Sequence, residues 1–144
     1  MTFPDDGFWN SRTSLREIKD YAVSRLVSPD AVLAVTLCRI IAATPPHVVL
    51  PPTIGSDYGS LNFGVVILGN PGPGKDAAFG AAKALVPDIR DAPVTSVASG
   101  QAISALFGQR VQEDGRFRLE CKSPRAMLRY SEASNFRALS SARE

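Results

Sequence analysis

Gly69-Asn70-Pro71-Gly72-Pro73-Gly74-Lys75 satisfies the pattern G-x-x-x-x-G-K, whose residue types suit the binding of a polyphosphate. Glycines let successive backbone N–H groups converge on an anion, a helix start behind them adds partial positive charge, and the Lys75 ammonium neutralises β- and γ-phosphates. The expected ligand is ATP or another nucleoside triphosphate, held by residues Gly69 to Ala77, with Mg²⁺ as companion. The eighth position is Asp76, where the pattern has Ser or Thr to ligate Mg²⁺. A carboxylate can hold Mg²⁺ too, but beside a triphosphate it adds repulsion. Asp76 is thus the candidate metal ligand and also a reason to expect weakened or altered metal use. Pro71 and Pro73 preset φ in the loop, and each removes one N–H. The competing reading of these residues is a glycine- and proline-rich strand-to-helix turn with a surface lysine.

Hydrolysis needs an acid at the end of a neighbouring strand to polarise the attacking water, with a second acid holding Mg²⁺ through water. Met127-Leu128-Arg129-Tyr130-Ser131-Glu132 fits best, ending in an acid 57 residues after Lys75. Glu132 is the candidate catalytic residue. Arg129 interrupts the run and Ser131 stands where the usual Asp would be, so Glu132 reads equally as a solvated residue at a strand end. His47, between Pro46 and Val48, reads as a structural contact rather than a general base. Cys38 and Cys121 lie far apart with only His47 as companion, which argues against zinc and fits a reducing compartment.

The loop must sit between a buried strand and a helix. Leu61 to Leu68 contains the continuous apolar run Val65-Val66-Ile67-Leu68, the pattern of a strand covered on both faces. Lys75 to Leu85 is alanine-rich and helical, ended by Val86-Pro87-Asp88. Upstream, Ser14-Leu15-Arg16-Glu17 has capping-box spacing and predicts a helix from about Ser14 to Arg25 after a short polar lead. Ser28-Pro29-Asp30 opens a second, from Ala31 to Ala43, apolar almost all round apart from Arg39 and so expected to be buried. Phe8 and Trp9 read as a hydrophobic plug on these helices. His47 to Pro52 is an extended segment leading into a Gly/Ser-rich loop from Ile54 to Ser60.

Downstream, Ala92 to Val97 predicts a short strand, Gly100 to Gln109 a helix, and Gln112 to Gly115 a turn between strands. Phe117, Leu119 and Cys121 alternate with charged residues, as on a half-exposed edge strand. Ala126 to Tyr130 predicts another strand, and Phe136 to Ala142 the start of a helix. Over the last 29 residues Arg116, Arg118, Lys122, Arg125, Arg129, Arg137 and Arg143 face three glutamates. That bias reads as a solvated edge or as a face for single-stranded DNA.

The 144 residues fit one domain, and 44% hydrophobic against 21% charged residues excludes a disordered tail or a membrane protein. A net charge of +2 is too small to imply nucleic acid from bulk electrostatics. The N-terminus has acidic residues where a signal peptide carries basic ones, and no apolar run approaches membrane-spanning length, so the expected location is the cytoplasm.

Phe8-Trp9-Asn10-Ser11-Arg12, Ser28 to Leu33, Ile41-Ala42-Ala43-Thr44-Pro45-Pro46, and Tyr58-Gly59-Ser60-Leu61-Asn62 before the loop together resemble the N-terminal part of P-loop ATP-binding proteins of phages and integrated mobile elements. These are related to primase-associated, RecA-like replicative helicases, and the similarity runs across nearly the whole chain. The resemblance implies a tolerated non-hydroxyl residue after the loop lysine and a strand ending in a catalytic glutamate at Glu132. It also implies a homo-oligomer in full-length relatives, which continue well past the length seen here, so the chain is expected to be truncated and doubtful in turnover. The expected fold is α/β, an N-terminal helical pair (1–52) on an incomplete P-loop NTPase core (53–144) with a mainly parallel sheet. A different class, a non-catalytic adaptor or regulatory fragment with a degenerate P-loop fold, stays open.

Overall fold

A computed structural model describes residues 6–53, 57–69, 74–89, 92–97, 99–113 and 115–130. The fold is mixed α/β. In chain order its elements are α1 (Asp6–Asn10), α2 (Thr13–Ser24), α3 (Pro29–Ala43), β1 (Val49–Leu50), β2 (Gly59–Ser60), α4 (Gly74–Leu85), β3 (Val94–Thr95), α5 (Gly100–Phe107), β4 (Gly108–Glu113), β5 (Arg116–Cys121) and β6 (Met127–Leu128). Two compact units interleave along the chain: residues up to Ile41 with Asn62–Asp88, and Ala42–Leu61 with Ile89 onward. Among the described residues no helix is long and apolar enough to cross a membrane.

The first unit is helical. The lead expected to be irregular contains α1, which ends where Ser11 returns both its N–H and its hydroxyl to the Phe8 carbonyl, at 3.1 and 2.6 Å. Trp9 fills the role of a plug at 2% exposure, whereas Phe8 meets it edge-on at 5.2 Å and stays half-exposed. Helix α2 starts one residue earlier than the capping-box spacing predicts, after an extended Arg12 that offers no side-chain cap, so Ser14 lies inside the first turn. Its end is a Schellman motif: Leu26 N–H bonds to Val23 O and Val27 N–H to Ala22 O, each at 3.0 Å. Leu26 adopts a left-handed φ of 56° there.

Helix α3 begins as expected, with the Ser28 hydroxyl accepting from Ala31 N–H at 3.4 Å. Its burial corrects the expectation. Val32, Val35, Thr36, Arg39 and Ala42 form one buried stripe, while Leu37 and Ile40 are exposed. Arg39, read as the exception on an apolar helix, lies on the buried face because its guanidinium finds carbonyl partners there: Nε donates to Val86 O at 2.7 Å and Nη2 to Pro87 O at 3.3 Å. Helix α4 packs through Ala78, Ala81 and Ala82. The core cluster joins Ala22, Val27, Val32, Ala78 and Ala81, flanked by Ile18, Tyr21, Ala31 and Leu85.

The buried strand expected over Leu61–Leu68 is absent: the segment to Gly69 has no regular structure, and Phe63, Val65, Val66 and Leu68 are exposed. A strand exists only through a neighbour's hydrogen bonds, and among the described residues no strand pairs with this one.

The second unit carries three two-stranded sheets. Strands β1 and β2 pair antiparallel, Val49 opposite Ser60. Strands β3 and β6 pair parallel, Val94 opposite Met127, closed by Met127 N–H to Pro93 O and Arg129 N–H to Thr95 O, both 2.9 Å. Among the described residues this is the one parallel pair, where a mainly parallel sheet is expected. Ser99 caps α5 by accepting from Ala102 N–H at 3.2 Å. The hairpin β4–β5 turns at Gly115, whose φ of 74° suits glycine. Strand β5 was expected to bury one face, yet every residue of it is exposed, Phe117 at 70% and Leu119 at 77%. Nothing among the described residues covers the hairpin. The helix expected over 136–142 lies outside the described residues.

Leu26 is 96% exposed in a conformation that disfavours a Cβ. Leu26→Gly should therefore raise the unfolding free energy by about 1 kcal/mol, seen as a shift of about 2–4 °C in Tm.

Candidate functional site

The two described ends of the G-x-x-x-x-G-K segment are brought together. Gly69 ends the segment without regular structure and Gly74 opens α4. The Lys75 ammonium donates to the Gly69 carbonyl at 3.2 Å. Asn70, Pro71, Gly72 and Pro73 lie outside the described residues.

Burial of Ala78, Ala81 and Ala82 sets the rotation of α4. Gly74, Asp76 and Ala77 are exposed in its first turn, and Lys75 is half-buried. The start of a 12-residue helix supplies N–H groups without intrahelical acceptors and the positive end of the macrodipole. The Lys75 ammonium and this helix start are both features that attract an anion. Asp76 is the acid of that turn. A carboxylate there gains from the macrodipole whether or not a cation binds, and its oxygens are of the hard type that Mg²⁺ takes.

Glu132 and Ser131 lie outside the described residues. The strand expected to lead toward them is present as β6. The loop and α4 belong to the first unit and β6 to the second. His47 is exposed.

Of the basic residues of the C-terminal segment, Arg116, Arg118 and Lys122 are exposed. Arg118 reaches Glu113 at 3.9 Å with both side chains about 70% exposed, a pair worth little in water. Across the other face of the hairpin the Arg110 guanidinium stands 5.9 Å from the Phe117 ring centroid. Arg125 is turned inward, with Nη1 donating to Ala43 O at 2.5 Å. Arg137 and Arg143 lie outside the described residues. Burial pushes the Cys38 thiol pKa up and lowers that of the Arg39 guanidinium.

Sequence reasoning missed the place of Arg39. The signal was a single basic residue in the run from Ala31 to Ala43, which is energetically acceptable in a core only when its donors are satisfied.

The bond from Lys75 to Gly69 is exposed, and exposed hydrogen bonds contribute little to stability. Lys75→Met should accordingly change the unfolding free energy in urea by less than about 1 kcal/mol. A loss of several would mark Lys75 as a structural residue.

No protein-family model matches the chain, and no curated protein or solved structure matches it significantly.

Proposed function

We propose that the chain binds ATP through residues 69–77 as the start of a P-loop NTPase core, serving DNA replication in the cytoplasm as part of a helicase-type ATPase of a phage or mobile element. The observation that supports this reading is the Lys75 ammonium lying 3.2 Å from the Gly69 carbonyl in the first turn of α4, a charge and a helix start that both favour an anion. Asp76 would hold Mg²⁺ in place of the usual hydroxyl, and Glu132 would aim the attacking water. Because Asp76 sets a negative charge beside the phosphates, binding is weak and only partly Mg²⁺-dependent. The same departure favours a second reading, a non-catalytic adaptor that binds nucleotide without turnover.

Nucleotide-dependent thermal shift tests binding. A ligand at 100 times its Kd adds about 2.7 kcal/mol to stability, so millimolar ATP should raise Tm measurably and Lys75→Ala should abolish the effect. No stabilisation by ATP, ADP or GTP, with or without Mg²⁺, would sink the proposal. Asp76→Thr should strengthen Mg²⁺-dependent binding without restoring hydrolysis. Steady-state ATPase assays should find little turnover; brisk turnover eliminated by Glu132→Gln would instead show a complete catalytic site.

Single-stranded DNA is the proposed polymer partner, on the exposed basic residues Arg116, Arg118 and Lys122 of the hairpin segment. The resemblance implies a homo-oligomer in full-length relatives, and a homo-oligomer is proposed as the working form. Affinity should be present at low salt and fall steeply as salt rises from about 50 to about 200 mM. Affinity that is absent, or indifferent to salt, excludes the hairpin as a DNA face.

A further inference from the structure

Arg39 has 3% exposure and makes no ion pair among the described residues; its donors go to Val86 O and Pro87 O, directly beyond the last residue of α4. That helix has 12 residues and a length of about 18 Å. Its buried face is built from Ala78, Ala81 and Ala82. Small side chains form shallow ridges, which resist sliding and rotation of a helix less than large interdigitating ones do. At its C-terminal end Leu85 joins the core cluster and Arg39 holds the carbonyls just past it. Hydrogen bonds from a planar guanidinium are directional, so with the buried alanines they set height along the axis and rotation. At the other end Lys75 must meet Gly69 within hydrogen-bond reach, and it does so at 3.2 Å.

We propose that Arg39 is a positioning residue for Lys75: by holding the carbonyls at the C-terminal end of α4, it fixes where that helix presents its lysine to the loop. The functional part rests on the nucleotide-binding reading above; the geometric part does not. A lost guanidinium lets α4 shift by a fraction of an ångström to an ångström, enough to misplace a binding group.

The test is amide NMR of the nucleotide-free protein with Arg39→Met, which keeps length and removes the donors, paired with ATP titration. The signals of Gly69, Gly74 and Lys75 should move while those of α2 stay, and ATP affinity should drop about tenfold or more. A purely structural role would lower Tm and leave those signals in place, which overturns the proposal. Unchanged ATP affinity in a variant whose first turn has moved overturns its functional part. If Arg39→Met does not fold, Arg39→Lys decides: displaced first-turn signals support the role, and wild-type signals overturn it. If the wild type fails to bind ATP while Arg39→Met still shifts Gly69 and Lys75, the nucleotide reading falls and the coupling between the two ends of α4 stands.

Discussion

A guanidinium buried with only backbone carbonyls for partners is the constraint around which the helical unit is organised. Taking an arginine out of water costs several kcal/mol, and hydrogen bonds from a charged donor return about 1.5–3 kcal/mol each. Arg39 makes two, at 2.7 and 3.3 Å, with carbonyls at the end of α4, where the helix macrodipole is negative. The balance is near zero, so the residue adds little net stability. What it adds is direction. Hydrophobic contact between α4 and the cluster of Ala22, Val27 and Val32 is non-directional, and alanines alone permit many similar packings. The second unit uses the same device, since Arg125 donates to Ala43 O at the last residue of α3.

What was legible in the sequence is what is decided locally. Ser28 before Pro29 marked the start of α3, and the alanine-rich run after Lys75 marked α4, because capping and periodicity act within a few residues. The turn before Arg116 was legible for the same reason, since Gly115 carries the positive φ that closes the hairpin. Pairing is not local. Residues 61–68 have the composition of a buried strand and remain without regular structure, because composition gives the tendency and only a neighbour gives the hydrogen bonds. Alternation along β5 likewise marked a strand but not a cover for it. Isolated two-stranded ribbons are marginal in water, and the exposed Phe117 and Leu119 belong to one.

The site divides along the same line. Spacing singled out Gly69, Gly74 and Lys75, and the structure sets the Lys75 ammonium 3.2 Å from the Gly69 carbonyl where Gly74 opens α4. The rotation of α4 was not legible, because it follows from which alanines are buried and from Arg39, 36 positions before Lys75. The strand expected over Ala126 to Tyr130 is present as β6, while Glu132 lies outside the described residues.

The chemistry open to such a loop turns on two adjacent residues. At about 5 Å and an effective dielectric constant of about 20, one unit charge interacts with another by about 3 kcal/mol. The Lys75 ammonium would attract each phosphate charge by an amount of that order, and the neighbouring Asp76 carboxylate would repel it by a similar amount. At distances beyond their separation the two nearly cancel. What remains for a bare triphosphate is the helix start, equivalent to about half a positive charge, and the N–H groups of its first turn. A divalent cation held by that carboxylate would have part of its charge neutralised by it, so it would add less to phosphate binding than a cation held by a neutral hydroxyl. The usual hydroxyl would have been neutral toward both. In this chain the metal would mainly offset the repulsion that Asp76 creates, and binding energy spent on that offset is unavailable to stabilise a transition state.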